Sequence, residues 1–321
     1  MAGTGKAHLR EEGDVVLRVE DLVVEFPVGR TGLKVNAVTG ISFDVLRGET
    51  LGLVGESGCG KSTTGRAIMQ LPRPTGGSVR LGDRELTALK GEELRRTRTQ
   101  LQMIFQDPIS SLNPRRKIKD IVGEGISIWG DKATKGDARG RVDQVLLDVG
   151  LDPEVIICDE PVSALDVSVQ AQILNLLEQM KERYQLTLIF IAHDLAVVKN
   201  ISDRVAVMYL GKMCELGPAD TLYGDPAHPY THALLASIPQ PDPSIEALEL
   251  ETLQGELPSP IDPPSGCRFR TRCPRAEERC AEEEPLMREV ADRHFVACHF
   301  PLVGETAPPE AGIPVRMKAS A

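Results

Sequence analysis

The chain has 321 residues, 41% hydrophobic and 26% charged, which is enough apolar material for one large domain with a smaller appendage. Its 37 Lys and Arg against 47 Asp and Glu leave a net charge of −10, which excludes the broad basic face that a nucleic-acid backbone requires. No apolar run approaches the length of a bilayer span, and the opening MAGTGKAHLREEGD has neither the apolar core nor the cleavage site of a secretory signal, so a cytosolic chain is expected.

Residues 1–13 are polar and charged and read as a disordered leader. From residue 14 to 240, short β-branched runs alternate with helical patterns, which predicts an α/β domain with a mostly parallel sheet covered by helices. The expected strands are LRVEDLVVEF (17–26), ISFDV (41–45), TLGLVG (50–55), LQMIFQ (101–106), VIICDE (155–160), TLIFIAH (187–193) and RVAVMYL (204–210). Between Ser168 and Tyr184, Val169, Ile173, Leu176, Leu177 and Met180 recur at helical spacing. Beyond IPQPDPS the composition turns rich in Pro, Glu and Cys, so residues 241–302 read as a small Cys-rich module and 303–321 as a disordered tail.

Between the strand TLGLV and the helical pattern KSTTGRAIMQL lies GESGCGKS, residues 55–62, which fits G-x-x-x-x-G-K-[ST] in letters and in context. Glycines 55, 58 and 60 let the loop wrap so that backbone N–H groups point at phosphate oxygens, and the following helix adds its positive end. The expected nucleotide contacts are Gly55, Glu56, Ser57, Gly58, Cys59, Gly60, Lys61, Ser62 and Thr63. Lys61 is placed to reach the β and γ phosphates of ATP, and Ser62 to offer its hydroxyl to Mg²⁺. The apolar strand VIICD then delivers Asp159 and Glu160 to the edge of the sheet where ligands bind. Asp159 is expected to hold Mg²⁺ through water and Glu160 to polarise an attacking water.

GESGCGKS, Gln106 in MIFQDPISSLNP, VIICDEP, SALD and His193 in FIAHD occur in that order. The set closely resembles the nucleotide-binding subunit of an ATP-binding-cassette (ABC) transporter, over about residues 14–300. SLNPR after Gln106, the stretch DPAHPYTHALLASIPQPDP and the terminal cysteines resemble the ATPase subunits of bacterial oligopeptide and dipeptide importers; GESGCGKSTTGRAI and QMIFQDPISSLNPR favour the second of their paired ATPases. The resemblance implies a P-loop NTPase fold of the ABC type. It implies Gln106 on Mg²⁺ and the attacking water, His193 as the switch that holds the γ-phosphate and Glu160 in register, and Asp166 in the loop that meets the sister subunit. Read alone, His193 at the end of a buried strand is a satisfied core histidine; the order of the motifs gives it the other role. The family usually stacks an aromatic on the adenine, and since none lies between Phe26 and Phe43, Phe26 is the candidate. The implied partners are a sister ATPase subunit, two integral membrane permease subunits and, indirectly, an external peptide-binding protein. The implied place is the cytoplasmic face of the membrane. A DNA-repair type of ABC ATPase is the rival class, and the net charge and HPYTHALL weigh against it.

Cys267, Cys273, Cys280 and Cys298 have five, six and 17 residues between successive members. Four thiolates suit a tetrahedral Zn²⁺ or a [4Fe–4S] cluster. The C-x₂-C pairs of zinc ribbons are missing, and Arg268, Arg270 and Arg272 stand ready to offset thiolate charge. The spacing therefore leans to the cluster, which the resembled importers carry there, with zinc and free thiols as alternatives. Cys59, Cys158 and Cys214 read as small buried apolar residues.

Residues 107–158 contain no sequence of the LSGGQ type, the signature with which the resembled subunits clasp the γ-phosphate held by the opposite subunit. The helical pattern of residues 137–151 runs into Pro153 and Glu154, where those subunits have roughly 35 further residues. A deletion between Glu154 and Val155 is expected, with a truncated helical subdomain and a chain that binds nucleotide but depends on a sister's signature for turnover.

Overall fold

The computed structural model describes residues 5–10, 13–106, 153–163, 165–238 and 255–303. β1 (Val15–Pro27) and β2 (Lys34–Leu46) are joined by the short loop 28–33, which only an antiparallel pair can close. With β4 (Gly76–Leu81) and β5 (Arg84–Glu85) they form a separate four-stranded sheet in the order β2-β1-β4-β5. This corrects the expectation that 17–26 and 41–45 belong to the parallel sheet: the hairpin connection decides their direction.

The second sheet has eight strands in the order β11-β12-β10-β9-β3-β8-β7-β6. Five of them run parallel, namely β3 (Thr50–Val54), β6 (Leu101–Ile104), β7 (Val155–Asp159), β8 (Thr187–Ile191) and β9 (Arg204–Tyr209). β3, β7, β8 and β9 are buried at every residue, because both of their faces are covered. The two-residue period divides their side chains. Leu51, Leu53, Ile157, Ile189 and Ala206 join the core under the antiparallel sheet; Val54, Ile156, Leu188, Phe190 and Val205 pack on the helical side.

β10 (Lys212–Pro218) turns back antiparallel on β9, and β11 (Arg288–Ala291) and β12 (His294–Val296) extend the same sheet. The C-terminal residues are thus stitched to the nucleotide core by main-chain pairing, and the whole sheet is mixed rather than parallel. A buried polar staple adds to this. The Glu215 carboxylate accepts from the Ala227 and His228 amides at 2.7 and 2.8 Å and pairs with His294 Nε2 at 2.6 Å.

The described helices are α1 (Lys61–Ile68), α2 (Gly91–Thr97), α3 (Val167–Tyr184), α4 (Leu195–Ile201), α5 (Ala219–Gly224), α6 (Pro229–Ala236) and α7 (Glu278–Glu282). On α3, Leu177 is buried and Ile173, Leu174 and Met180 pack beside it, but Leu176 is 47% exposed. Leu176 lies about 100° round the helix from Leu177, off the packed face, although it recurs at the same helical spacing.

His228 caps α6, its Nδ1 accepting from the Tyr230 amide at 3.0 Å. Burial drives its pKa from 6.5 down to about 4. The folded state holds the neutral ring while the unfolded chain takes a proton near the ordinary value, so this stabilisation is complete above pH 6.5 and is lost as the pH falls towards about 4. The melting temperature is expected to drop across that window, and His228→Asn, which caps without titrating, to flatten the drop. An identical pH profile in the variant would assign the acid limit to other groups.

Candidate nucleotide-binding site

β3 ends at Val54 and α1 begins at Lys61, so residues 55–60 must reverse the chain in a tight loop. Two glycines have no substitute there. Gly55 has φ 148° and a Cβ on it would lie 2.1 Å from the Met208 carbonyl oxygen; Gly60 has φ 108° and its Cβ would lie 2.3 Å from that of Ala37. Lys61 is 4% exposed, and its Nζ donates to the carbonyls of Gly55 at 2.8 Å and Glu56 at 3.0 Å. The ammonium is therefore held inside its own loop. Ser57 and Gly58 are exposed, Cys59 is buried, and Thr63 follows Ser62 on the first turn of α1.

The acidic pair closes the site. The Ser62 hydroxyl donates to Asp159 Oδ1 at 2.6 Å, joining α1 to β7 across 97 positions. Asp159 Oδ2 is buried without a hydrogen-bond partner, and the Arg66 guanidinium is 3.7 Å from it. Burial pushes the Asp159 carboxyl above its ordinary value, while the Ser62 hydroxyl and Arg66 pull it back. A buried carboxylate with an open oxygen beside a serine hydroxyl suits a hard dication, so Ser62 and Asp159 fit Mg²⁺. Glu160 adopts φ 48°, and its amide donates to the Ile191 carbonyl at 2.9 Å, which ties the turn after β7 to the end of β8. Gln106 Nε2 donates to Glu160 Oε2 at 2.9 Å, and His193 Nδ1 lies 3.4 Å from Glu160 Oε1. Two side chains, from just beyond β6 and β8, thus meet at the carboxylate that follows β7.

Residues 38–187 match the family model described as ABC transporter, and residues 214–280 match the one described as oligopeptide/dipeptide transporter, C-terminal region. The chain is 46% identical over 325 residues to the oligopeptide transport ATP-binding protein OppF of Salmonella typhimurium, covering 90% of this chain and 97% of that protein. The chain belongs to the ABC transporter family. It is also 47% identical over 321 residues to OppF of Escherichia coli, covering 88% of this chain and 96% of that one. A solved structure of cbiO1 from Clostridium perfringens, part of the ABC transporter complex cbiONQ, shares 23% identity at a TM-score of 0.49 and covers 65% of this chain and 91% of its own.

In this ABC protein the phosphate loop, the acidic pair, Gln106 and His193 come together, and Asp166 does not join them. Its carboxylate caps α3, accepting from the Val169 amide at 3.0 Å and the Ser168 hydroxyl at 2.6 Å; the Ser168 contact holds it below its ordinary pKa. Phe26, 38% exposed at the end of β1, pairs in register with Val35. The missing-signature expectation falls mostly on residues outside those described. One fact bears on it. The Salmonella alignment, at 325 positions, is longer than this chain's 321 residues yet takes in only 90% of them, so the relative carries a few tens of residues opposite a gap.

Two residues of the site escaped sequence reasoning. The Tyr230 hydroxyl accepts from the Glu56 amide at 2.9 Å, and Arg272 pairs with the Glu56 carboxylate at 2.7 Å. HPYTHALL stood out as a family feature, but nothing local says that its tyrosine reaches back to the loop. Of the three arginines credited with offsetting thiolate charge, Arg270 lines the pocket of the four cysteines while donating to the Ser265 carbonyl, Arg268 donates to the Leu210 carbonyl, and Arg272 pairs with Glu56. The cation that acts on the Cys273 thiol is Arg275.

Cys59, Cys158 and Cys214 are buried, as small apolar residues are, and burial pushes the Cys158 thiol up to about 12. Cys267, Cys273, Cys280 and Cys298 line one pocket. Burial, with a smaller push from neighbouring cysteines, raises Cys267 to about 11 and Cys298 to about 12. Among the described residues, however, no three His, Cys, Asp or Glu converge to hold a metal ion. The four sulfurs share a pocket without forming a coordination shell, and no step of the chemistry is routed through a metal there. Among the described residues no helix is long and apolar enough to cross a membrane.

Proposed function

We propose that this chain is the ATP-hydrolysing subunit of a peptide importer, working peripherally on the cytoplasmic face of the membrane. The observation that carries the reading is the convergence of Gln106, Glu160 and His193 beside the Lys61, Ser62 and Asp159 cluster. Relatives named as oligopeptide transport ATP-binding proteins supply the direction. Lys61 and the loop amides bind the β and γ phosphates of ATP. Ser62 and Asp159 hold Mg²⁺, which neutralises phosphate charge. Glu160 accepts a proton from the attacking water as its oxygen bonds to the γ-phosphorus and the bond to the bridging oxygen breaks, so ATP and water yield ADP and phosphate. Gln106 and His193 fix the Glu160 carboxylate from two sides. Asp166 is assigned to the contact with a sister ATPase, and two permease subunits would receive the motion. The test is uptake of a labelled peptide by vesicles that contain this chain with its permeases, with MgATP inside. Equal uptake without this chain would overturn the reading.

The relatives' names speak for a working ATPase over a catalytically incomplete partner. The gap in the alignments keeps the second reading testable. If the missing residues carry the signature, the chain alone binds MgATP with negligible turnover, and inserting the relative's segment raises phosphate release by orders of magnitude. Robust turnover of the 321-residue chain alone would remove this reading.

A [4Fe–4S] cluster on Cys267, Cys273, Cys280 and Cys298 is the finer proposal, supported by their shared pocket and opposed by the lack of convergent ligands. Protein purified without oxygen is expected to carry iron and acid-labile sulfide. Zinc without iron would replace the cluster, and neither metal would leave four free thiols.

A further inference from the structure

Glu56, the second residue of the phosphate loop, is held from two sides. Its amide donates to the Tyr230 hydroxyl on α6 at 2.9 Å. Its carboxylate receives both arms of Arg272, Nη1 to Oε2 at 2.7 Å and Nη2 to Oε1 at 3.1 Å, across 216 positions of sequence. The Arg272 side chain is 5% exposed and sits 5.8 Å from the centroid of the Tyr209 ring. Tyr209 in turn packs edge to face with Tyr230 at 4.7 Å and Phe269 at 5.2 Å. The guanidinium is thus fixed by aromatic packing before it meets Glu56, so little further order is lost when the pair forms. The Glu56 carbonyl also accepts from Lys61 at 3.0 Å, which places residue 56 between the C-terminal segment and the phosphate-binding lysine.

A bare carboxylate on a loop that receives a triphosphate repels it by the same Coulomb law that draws in the lysine, and partial burial enlarges the effect. A two-armed guanidinium cancels that charge and fixes the side chain in one geometry. We propose that Arg272 is a positioning residue of the nucleotide site: it neutralises Glu56 and holds the phosphate loop in its polyphosphate-accepting shape, so the C-terminal segment sets nucleotide affinity. The proposal rests on residues 55–62 being the nucleotide site.

Arg272→Ala is expected to weaken MgATP binding about tenfold in calorimetry, in the range of ordinary coupling between sites. Glu56→Gln added to Arg272→Ala should recover most of that loss, because the carboxylate that needed neutralising is gone. A merely structural role would make the double variant at least as weak as Arg272→Ala. Should Arg272→Ala fail to fold, Arg272→Met keeps the stem over Tyr209, removes the charge, and carries the same expectation. Parent affinity in the folded arginine variant, or no recovery in the double variant, would overturn the proposal. Lys61→Ala separates the two readings: if it too binds as the parent does, the nucleotide site itself is misplaced, whereas loss there with parent affinity at Arg272→Ala sinks the clamp alone.

Discussion

Lys61→Ala is expected to reduce MgATP affinity by at least about a hundredfold, the scale of losing charge-assisted hydrogen bonds in a buried site. Lys61 is 4% exposed, and its ammonium donates to the carbonyls of Gly55 and Glu56 at 2.8 and 3.0 Å and lies 3.9 Å from the Cys59 sulfur, all within its own loop. Among the described residues, the nearby cations Arg66 and Arg272 are engaged elsewhere, with Arg66 facing Asp159 and Arg272 facing Glu56. Isothermal calorimetry on the whole chain measures the effect, with the melting temperature as the check on folding. Undiminished binding by a folded variant would remove the phosphate loop from the nucleotide site and, with it, the hydrolytic role of Asp159 and Glu160.

Glu160→Gln is expected to lower phosphate release by about 10²–10⁴-fold while leaving MgATP binding nearly intact, because the amide keeps the shape of the carboxylate but cannot take the proton of the attacking water. The two effects separate cleanly here. In the proposed site the phosphate contacts belong to residues 55–62, whereas Glu160 is engaged by Gln106 at 2.9 Å and His193 at 3.4 Å. His193 is 55% exposed, so His193→Ala opens no cavity and should cost turnover through a less well fixed Glu160. The assay is phosphate release by the assembled importer. Unchanged turnover in Glu160→Gln would move the base to another residue, and lost binding would make Glu160 a ligand rather than a base.

The sequence by itself determined the parts of this protein whose constraints are local. A loop that must reverse between a buried strand and a helix admits only glycine at 55 and 60, where a Cβ would collide with carbonyl oxygens, and that demand is written in neighbouring letters. The runs VIICD and TLIFI are buried at every residue, as unbroken apolar strands must be when both faces are covered, and each delivers its polar residues to the same edge. The nucleotide loop and the acidic pair could therefore be read before the fold was known, whereas His193 took its role only from the order of the motifs. The tertiary structure alone decided what depends on distant chain meeting in space. β1 and β2 joined β4 and β5 in a sheet of their own, and the packing of α3 turned Leu176 outward. Arg272 reached past its neighbouring cysteines to Glu56, 216 positions away, because it packs on Tyr209 at the end of β9, the strand beside β3, which leads into the phosphate loop. No periodicity encodes such a contact, since its partners share neither a helix face nor a strand register, and only the packed sheet brings them within hydrogen-bonding distance.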